Sequence, residues 1–189
     1  MNVCITNFKT TALDETHFVH PVKITYEQNG QPRVWEAVKS HDSVAVLLYH
    51  VQKQAFVLVK QFRPPVHLTD SNFLFTYELC AGIVDKQCSL VQIAKEEIDE
   101  ECGYNVPLHK IEKITSFFTN VGVSGSKQHL YFAQVDQSMK VHEGGGIHTE
   151  QIELEYLPLS VAEDFIYDET KAKTPGLMFA FMWFFKRYK

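Results

Sequence analysis

Two neighbouring apolar runs, residues 43–51 and 55–62, constrain the fold of this chain more than any other feature of its sequence. Both runs are rich in valine, leucine and aromatic residues, and a short polar stretch separates them. Continuous apolar runs of this length are typical of strands that are buried in a sheet. The sequence therefore predicts two buried strands that are joined by a short turn.

A hairpin is predicted ahead of these strands. Residues 22–28 alternate between apolar and polar side chains, and Asn29-Gly30 then supplies a dipeptide that favours a two-residue turn. The return strand is expected at residues 33–38. We expect this hairpin to form a small sheet of its own, so that residues 1–40 are an N-terminal segment and residues 41–189 the main domain.

Helices and further strands follow the two apolar runs. Arg63-Pro64-Pro65 is expected to end regular structure, because proline lacks an N–H and restricts the residue before it. Strands are then predicted at 73–80, 111–118, 130–135 and 152–157, and helices at 90–102, 161–167 and 175–188. This order of strands, one helix, strands and helices favours a mixed α+β sandwich over a doubly wound fold.

Composition and charge exclude several classes of protein. A chain of 189 residues is long enough for one domain with its own core, and a net charge of −5 disfavours binding to nucleic acid. The most apolar stretch, 177–185, is far shorter than the roughly 20 residues that a membrane span needs, and the N-terminus does not resemble a signal peptide. The cysteines form no CxxC pair and are expected to be reduced thiols in the cytoplasm: Cys4, Cys80, Cys88 and Cys102.

The predicted helix at 90–102 carries a concentration of acidic residues near its C-terminal end. Glu97 and Glu101 lie four residues apart and share one face of the helix, and Glu100 adjoins that face. Like charges at these spacings, together with acids at the negative end of the helix dipole, destabilise the helix by about 1–3 kcal/mol. Two interpretations stay open: a solvated acidic face, or a site for a divalent cation, which prefers carboxylate ligands.

The elements around this helix favour the cation site. A predicted strand, Gly82 and a loop precede the helix, Ser89 is a suitable N-cap, and Gly103 is placed to end it. A glycine at the mouth of the loop lets backbone and substrate approach closely. Loop and helix are therefore expected to form a compact cradle for a metal ion and a pyrophosphate group.

Residues 82–104, GIVDKQCSLVQIAKEEIDEECGY, resemble the Nudix box, whose pattern is G-x5-E-x7-R-E-U-x-E-E-x-G-U with U an apolar residue. The residues in register with this pattern are Gly82, Glu97, Ile98, Glu100, Glu101, Gly103 and Tyr104. Two positions depart from it, because Cys88 stands in place of the first Glu and Glu96 in place of Arg. The resemblance implies that these two positions form a salt bridge in the family, and the loss of both members leaves no unpaired charge.

The resemblance covers most of the chain from about residue 20. The segments SHDSVAVLLYH, LVKQFRPP, YELCAG and GVSGS are similar to those of nucleoside-diphosphate-sugar pyrophosphatases, nearest the branch that acts on UDP-sugars such as UDP-glucose and next the ADP-ribose pyrophosphatases. The resemblance implies an α/β/α Nudix sandwich with a mixed sheet. It also implies a homodimer whose N-terminal strands reach over the partner subunit.

The chemistry that the resemblance implies is metal-dependent hydrolysis of the pyrophosphate bond of a nucleotide sugar to a nucleoside monophosphate and a sugar 1-phosphate. Glu97 and Glu101 are the expected metal ligands, Glu100 shares a second ion, and the backbone carbonyl of Ala81 completes the shell. Two or three Mg²⁺ ions are expected, with Mn²⁺ as an alternative; such ions lower the pKa of bound water and neutralise the phosphates.

A general base is expected in the loop after the box, within residues 142–155, HEGGGIHTEQIELE. Glu150 is the first candidate and Glu153 the second, and His148 is a weaker one. The plain alternative for each glutamate is an exposed acid in a loop.

Further residues are candidates for contact with the substrate. Arg63 follows a buried strand and precedes two prolines, so that a stiff guanidinium is placed to bind phosphate, although a surface arginine is the alternative. Gly82 allows the substrate to approach closely. Ser124 begins the stretch Ser124-Gly125-Ser126-Lys127, whose N–H groups could line a phosphate or sugar, but a plain turn explains it equally well.

Two aromatic residues of the hairpin, Tyr26 and Trp35, could stack on the base of the substrate across the dimer, although packing within the hairpin is the simpler explanation. His41 and Asp42 match the UDP-sugar branch, but the sequence suggests no physical role for them.

Two other functions stay open. One is a Nudix-fold module that binds a nucleotide sugar without cleaving it, and the other is a Nudix hydrolase of another substrate class, such as dinucleoside polyphosphates or oxidised nucleoside triphosphates. The intact Glu97, Glu100 and Glu101 favour an enzyme, and the hairpin with LVKQFRPP favours a nucleotide sugar. The sequence does not specify the base or the sugar, because the shape of the pocket sets both.

Overall fold

Strands and helices in the order expected of an α+β sandwich make up the computed structural model, which describes residues 5–11, 15–16, 19–147 and 150–188. The candidate base His148, and Cys4, lie outside the described residues. The elements are β1 (His20–Gln28), β2 (Gln31–Lys39), β3 (Ser43–His50), β4 (Ala55–Gln61), α1 (Pro64–Thr69), β5 (Thr76–Glu78), β6 (Cys80–Ile83), α2 (Leu90–Cys102), β7 (Glu112–Phe118), β8 (Lys127–Val135), β9 (Ile152–Pro158), α3 (Leu159–Tyr167), β10 (Ala172–Lys173) and α4 (Pro175–Tyr188).

The two apolar runs form the antiparallel neighbours β3 and β4 at the centre of a mixed sheet, which has eight strands among the described residues. On its other side β3 pairs in parallel with β8, whereas β4 pairs in antiparallel with β9. Val44, Val46 and Leu48 of β3 face α2, and Ala45 and Leu47 face α3 and α4. Helices thus cover both faces, which is why the central strands are apolar throughout and which confirms the α/β/α sandwich.

The helix α2 begins and ends where its sequence predicts. The hydroxyl of Ser89 accepts a hydrogen bond from the N–H of Gln92 at 3.3 Å. Gly103 has a φ of 69° and donates its N–H to the carbonyl of Asp99 at 2.8 Å, which ends the helix. The apolar face of the helix packs on the sheet through Ile93, Ala94 and Ile98.

The strand predicted at 73–80 is two strands that pair with different neighbours. β5 pairs with β4, and β6 pairs with β3. The chain therefore crosses from one central strand to the other at Leu79. This crossing places Glu78 at the end of β5 and Ala81 and Gly82 within β6, next to α2.

Arg63-Pro64-Pro65 begins the short helix α1, so the prediction that it ends regular structure is wrong. The prolines occupy the first positions of the helix, where an N–H has no helical acceptor and the φ of proline is already suitable. Arg63 is the N-cap residue in an extended conformation, between the end of β4 and the start of α1.

The hairpin of β1 and β2 forms a two-stranded sheet of its own, as predicted. Two hydrogen bonds among the described residues join it to the loop before β8: the N–H of Val38 donates to the carbonyl of Val123 at 2.8 Å, and Nε1–H of Trp35 donates to the carbonyl of Gly122 at 2.9 Å. The hairpin exposes large apolar side chains: Val22, Ile24, Tyr26, Val34 and Trp35.

Among the helices of the described residues, none has the length and apolar character needed to cross a membrane.

Candidate active site

A cleft of about 490 Å³ opens beside the acidic end of α2, between β6, the end of β4 and the loop that follows β8. Candidate residues that are far apart in the sequence line it together: Arg63, Ala81, Gly82, Glu97, Glu100, Glu101 and Glu150. The C-terminal end of α2, the residue before α1 and the glycine-rich loop (Gly144 to Gly146 and the residues up to Glu150) therefore meet at one place.

Glu101 is almost fully buried, with 5% of its surface exposed. Its Oε2 accepts a hydrogen bond from the N–H of Ala81 at 2.8 Å, which ties the end of α2 to β6. Burial raises the pKa of Glu101 to about 8, although this hydrogen bond lowers the pKa, and the charge of Glu97 adds to the rise. Burial therefore disfavours the charged form of this carboxyl group.

Glu97 lies one turn before Glu101 and reaches over Gly82. A Cβ on residue 82 would lie 1.9 Å from Oε1 of Glu97, so that only glycine leaves room for this carboxylate. Burial raises the pKa of Glu97 to about 7, and the charge of Glu100 adds to the rise. The glycine of the box thus admits a carboxylate beside the strand.

The residues of the cleft fit a divalent cation. In the described part of the chain, no three or more His, Cys, Asp or Glu side chains are already arranged as a metal-binding group. Glu101 is nevertheless buried and Glu97 half-buried, and this burial disfavours their charged forms. A divalent cation, which prefers oxygen ligands, would neutralise these carboxylates and so offset the cost of burying their charge. Glu100 lies at the same end of the helix and also lines the cleft, so that its carboxylate could contact the same cation.

Arg63 forms a bidentate ion pair with Glu78, a residue that the sequence pattern did not single out. Nε–H and Nη2–H of Arg63 each donate to one carboxylate oxygen of Glu78 at 2.8 Å. Thr76 Oγ1 donates to the same carboxylate at 2.5 Å. Both partners line the cleft, so that the guanidinium is held in its wall. The available signal in the sequence was a glutamate within a predicted strand of mostly apolar residues.

The glycine-rich loop closes against the C-terminal end of α2. The N–H of Gly145 donates to the carbonyl of Glu101 at 2.9 Å, and the next N–H donates to the carbonyl of Glu100 at 3.2 Å. Residues 144–146 have φ values of 76°, 109° and 83°, which glycine adopts without strain. The loop satisfies carbonyl groups that the end of a helix leaves without partners, and it thereby brings Glu150 to the cleft.

The two candidate bases lie in different places. Oε2 of Glu150 accepts a hydrogen bond from the N–H of Ile147 at 2.9 Å, and its side chain lines the cleft. Glu153 lies on β9, with its carboxylate 3.9 Å from Nζ of Lys60, and it is not among the described residues that line the cleft.

The remaining candidates lie away from the cleft in this single chain. Oγ of Ser124 is 3.2 Å from Oγ of Ser126, within the loop before β8. Tyr26 and Trp35 belong to the hairpin and are exposed. Asp42 has a structural role, because its Oδ1 accepts the N–H of Lys127 at 2.8 Å and joins the start of β3 to β8. His41 is exposed.

The two positions that depart from the Nudix pattern have different surroundings. Cys88 is exposed. Glu96 accepts hydrogen bonds from Nζ of Lys86 at 2.7 Å and from Nε2 of Gln92 at 3.1 Å. Lys86 also lines the cleft, with Nζ 4.0 Å from Oε1 of Glu100. An ion pair between the loop and the helix is therefore present, but the basic residue lies in the loop and the acidic residue on the helix, whereas the Nudix pattern has them the other way round.

Known proteins are similar to this chain over nearly its whole length. Uridine diphosphate glucose pyrophosphatase NUDT14 of Bos taurus is 35% identical, over 89% of this chain and 88% of the relative, and that of Mus musculus is 31% identical, over 90% and 89%. GDP-mannose pyrophosphatase of Cronobacter sakazakii is 33% identical, over 86% of this chain and 85% of the relative. No family model matches the chain.

Proposed function

The chain belongs to the Nudix family, among its nucleotide-sugar pyrophosphatases, and from this premise we propose that it hydrolyses a nucleoside diphosphate sugar of the UDP-glucose or ADP-ribose type. The products are a nucleoside monophosphate and a sugar 1-phosphate. The names of the mammalian relatives support UDP-glucose, and that of the bacterial relative supports GDP-mannose as a further substrate to test. The observation that carries the proposal is a pair of carboxylates, the buried Glu101 and the half-buried Glu97, at one cleft with Arg63.

Mg²⁺ is the proposed cofactor, as two or three ions, with Mn²⁺ as an alternative. Glu97 and Glu101 would hold it, Glu100 would share a second ion, and the carbonyl of Ala81 would complete the shell. When bound, the ions supply neutralisation of the pyrophosphate charge and a lower pKa for bound water. The raised pKa values of Glu97 and Glu101 support this assignment.

Glu150 is the proposed general base, and Glu153 is the second candidate; His148 remains a weaker one. Glu150 would take a proton from the water that attacks phosphorus, while the bond between that phosphorus and the bridging oxygen breaks. The hydrogen bond from Ile147 to Oε2 of Glu150 occupies one carboxylate oxygen and supports a role for the other at the water. Its position at the cleft favours Glu150 over Glu153.

Arg63 would bind a phosphate of the substrate. Gly82, which has no side chain, would let the substrate approach the backbone of β6 closely. Ser124 would contribute to the sugar or phosphate end. We further propose a homodimer in which residues 1–40 cover the partner, so that Tyr26 and Trp35 reach its substrate. The exposed apolar face of the hairpin supports this arrangement. The free thiols of Cys80, Cys88 and Cys102 support a cytoplasmic location.

Product analysis tests the function. Purified protein is incubated with Mg²⁺ and an equal mixture of UDP-glucose, ADP-ribose and GDP-mannose, and the products are identified by mass spectrometry. We expect one substrate to yield its monophosphate and sugar 1-phosphate, and Glu101→Gln to yield neither. If no substrate is cleaved with Mg²⁺ or Mn²⁺, the protein is not the proposed pyrophosphatase, and a module that only binds the nucleotide sugar becomes the better explanation.

Native mass spectrometry tests the dimer. We expect twice the chain mass of 21.8 kDa at micromolar concentration. A deletion of residues 1–40 should give a monomer, whereas a species of 21.8 kDa from the full chain would overturn the proposed dimer.

A further inference from the structure

An ion pair joins the loop between β6 and α2 to the helix, with its positive and negative partners exchanged relative to the Nudix pattern. The pattern has its acid in the loop and its arginine on the helix, whereas this chain has Lys86 in the loop and Glu96 on the helix. Their side chains meet at 2.7 Å, and Gln92 donates to the other carboxylate oxygen of Glu96 at 3.1 Å. The reversal moves a positive charge from the helix to the loop.

Stability alone does not account for this arrangement. The side chains of Lys86 and Glu96 are 44% and 32% exposed, and ion pairs with such exposure contribute little to the free energy of unfolding. The location of Lys86 is more informative, because this side chain lines the same cleft as Glu97 and Glu101.

Positive charge is scarce in that cleft. Among the described residues that line it, the basic side chains are Arg63 and Lys86, whereas the acidic ones are Glu78, Asp85, Glu97, Glu100, Glu101 and Glu150. Two donors of Arg63 are already directed to Glu78. Lys86 has three N–H donors, one of which is directed to Glu96, and Nζ lies 4.0 Å from Glu100.

We propose that Lys86 binds a phosphate oxygen of the substrate and that Glu96 is the positioning residue that holds its ammonium group at the cleft. This inference rests on the proposed function. It accounts for the departure at position 96, because the loop lysine has its acidic partner there. A phosphate bound at these carboxylates would enter the cleft that the ammonium of Lys86 lines beside Glu100, where a charge-assisted hydrogen bond would stabilise it.

A charge-swap experiment separates the two roles of Lys86. The variants are Lys86→Ala, Lys86→Arg, and the double variant Lys86→Glu with Glu96→Lys, which restores an ion pair in the polarity of the pattern. Lys95→Ala is the control, because it removes a positive charge from the neighbouring helix α2 at a position that is not among the described residues that line the cleft. KM and kcat are measured on the nucleotide sugar that the wild type cleaves, and the dissociation constant of that substrate is measured in EDTA by calorimetry.

The proposal expects Lys86→Ala to raise KM and the dissociation constant about tenfold or more, with a smaller effect on kcat, since a charge-assisted hydrogen bond to phosphate is lost. Lys86→Arg should recover most of the affinity. The charge swap should keep the melting temperature of the wild type yet retain the weak binding of Lys86→Ala. Lys95→Ala should leave all values unchanged.

Two results overturn the proposal while leaving the proposed function intact. One is an unchanged KM in Lys86→Ala. The other is full recovery of the wild-type KM in the charge swap, which would show that Lys86 acts only through its ion pair with Glu96. A wild type that cleaves none of the nucleotide sugars would instead overturn the proposed function, and this inference with it.

Discussion

The carboxylate of Glu97 occupies the space that a side chain on residue 82 would need. A Cβ on Gly82 would lie 1.9 Å from Oε1 of Glu97 and 2.1 Å from its carboxyl carbon. These atoms are the flexible end of a side chain, so a larger residue at 82 would move the carboxylate and leave the strand in place. The glycine of the box therefore sets the position of a proposed metal ligand.

Gly82→Ala is expected to fold and to lose about a hundredfold in kcat/KM, because displacement of a catalytic group by about 1 Å has effects of this size. Gly122→Ala is the matched control, since a Cβ there would meet nothing within 4 Å. Activity comes from the product assay and folding from the melting temperature. Wild-type activity in Gly82→Ala would contradict the importance of this contact.

Glu101→Gln is expected to lower kcat/KM by about a hundredfold or more. The variant removes a proposed metal ligand, and a bound metal ion stabilises the negative charge of the transition state by several kcal/mol. The amide oxygen can still accept the N–H of Ala81, and the variant removes a carboxyl group whose charge burial disfavours. In EDTA its melting temperature should therefore equal or exceed that of the wild type.

Addition of Mg²⁺ should raise the melting temperature of the wild type more than that of Glu101→Gln, because the cation binds the folded state. Glu169→Gln, an exposed acid, should behave as the wild type in both assays. Equal Mg²⁺ shifts in all three proteins would remove Glu101 from the ligand set.

Glu150→Gln is expected to lower kcat by about 10²–10⁴-fold with little change in KM, which is the usual contribution of a general base. The glutamine can keep the hydrogen bond from Ile147, so that the loop should stay in place. Glu153→Gln, on β9 beside Lys60, is the comparison and should retain activity. The opposite result, with Glu153→Gln inactive and Glu150→Gln active, would transfer the role to Glu153.

Arg63→Lys is expected to raise KM about tenfold or more, because an ammonium group cannot hold both oxygens of Glu78 while facing the cleft. Glu78→Gln should raise KM in the same direction, since it releases the guanidinium. Arg33→Lys on the exposed strand β2 is the control. Unchanged substrate affinity in Arg63→Lys would show that this side chain is structural.

His50 is expected to make stability depend on pH. It is buried beside the rings of Tyr104 and Tyr156, and burial lowers its pKa below the ordinary value of 6.5, with the charge of Lys53 lowering it further. The unfolded chain therefore takes up this proton first as the pH falls. The contribution of His50 to the free energy of unfolding is present above pH 6.5 and is lost below it.

Urea unfolding at about pH 7.5 and about pH 5.5 checks this expectation. The loss of stability between these pH values should be smaller in His50→Phe than in the wild type. His109→Gln, at an exposed position, should show the same loss as the wild type. An equal loss in His50→Phe would exclude His50 as a source of the pH dependence.

Local patterns determined much of this protein. The helix α2 could be predicted at both ends, because its cap residues, Ser89 and Gly103, act on their immediate neighbours. The central strands β3 and β4 could be predicted because burial on both faces requires continuous apolar runs. The spacing of Glu97 and Glu101 on one helical face likewise follows from the period of the helix alone.

Only the tertiary structure decided which distant residues meet that face. The pairing of β5 with β4 and of β6 with β3 carries Glu78 to Arg63, and no local pattern encodes where a chain changes its partner strand. The ion pair of Lys86 with Glu96 spans ten residues of loop and helix and depends on how the loop folds back. Local preferences fix strands and helices, whereas the cleft depends on pairing and packing between elements that are remote in the sequence.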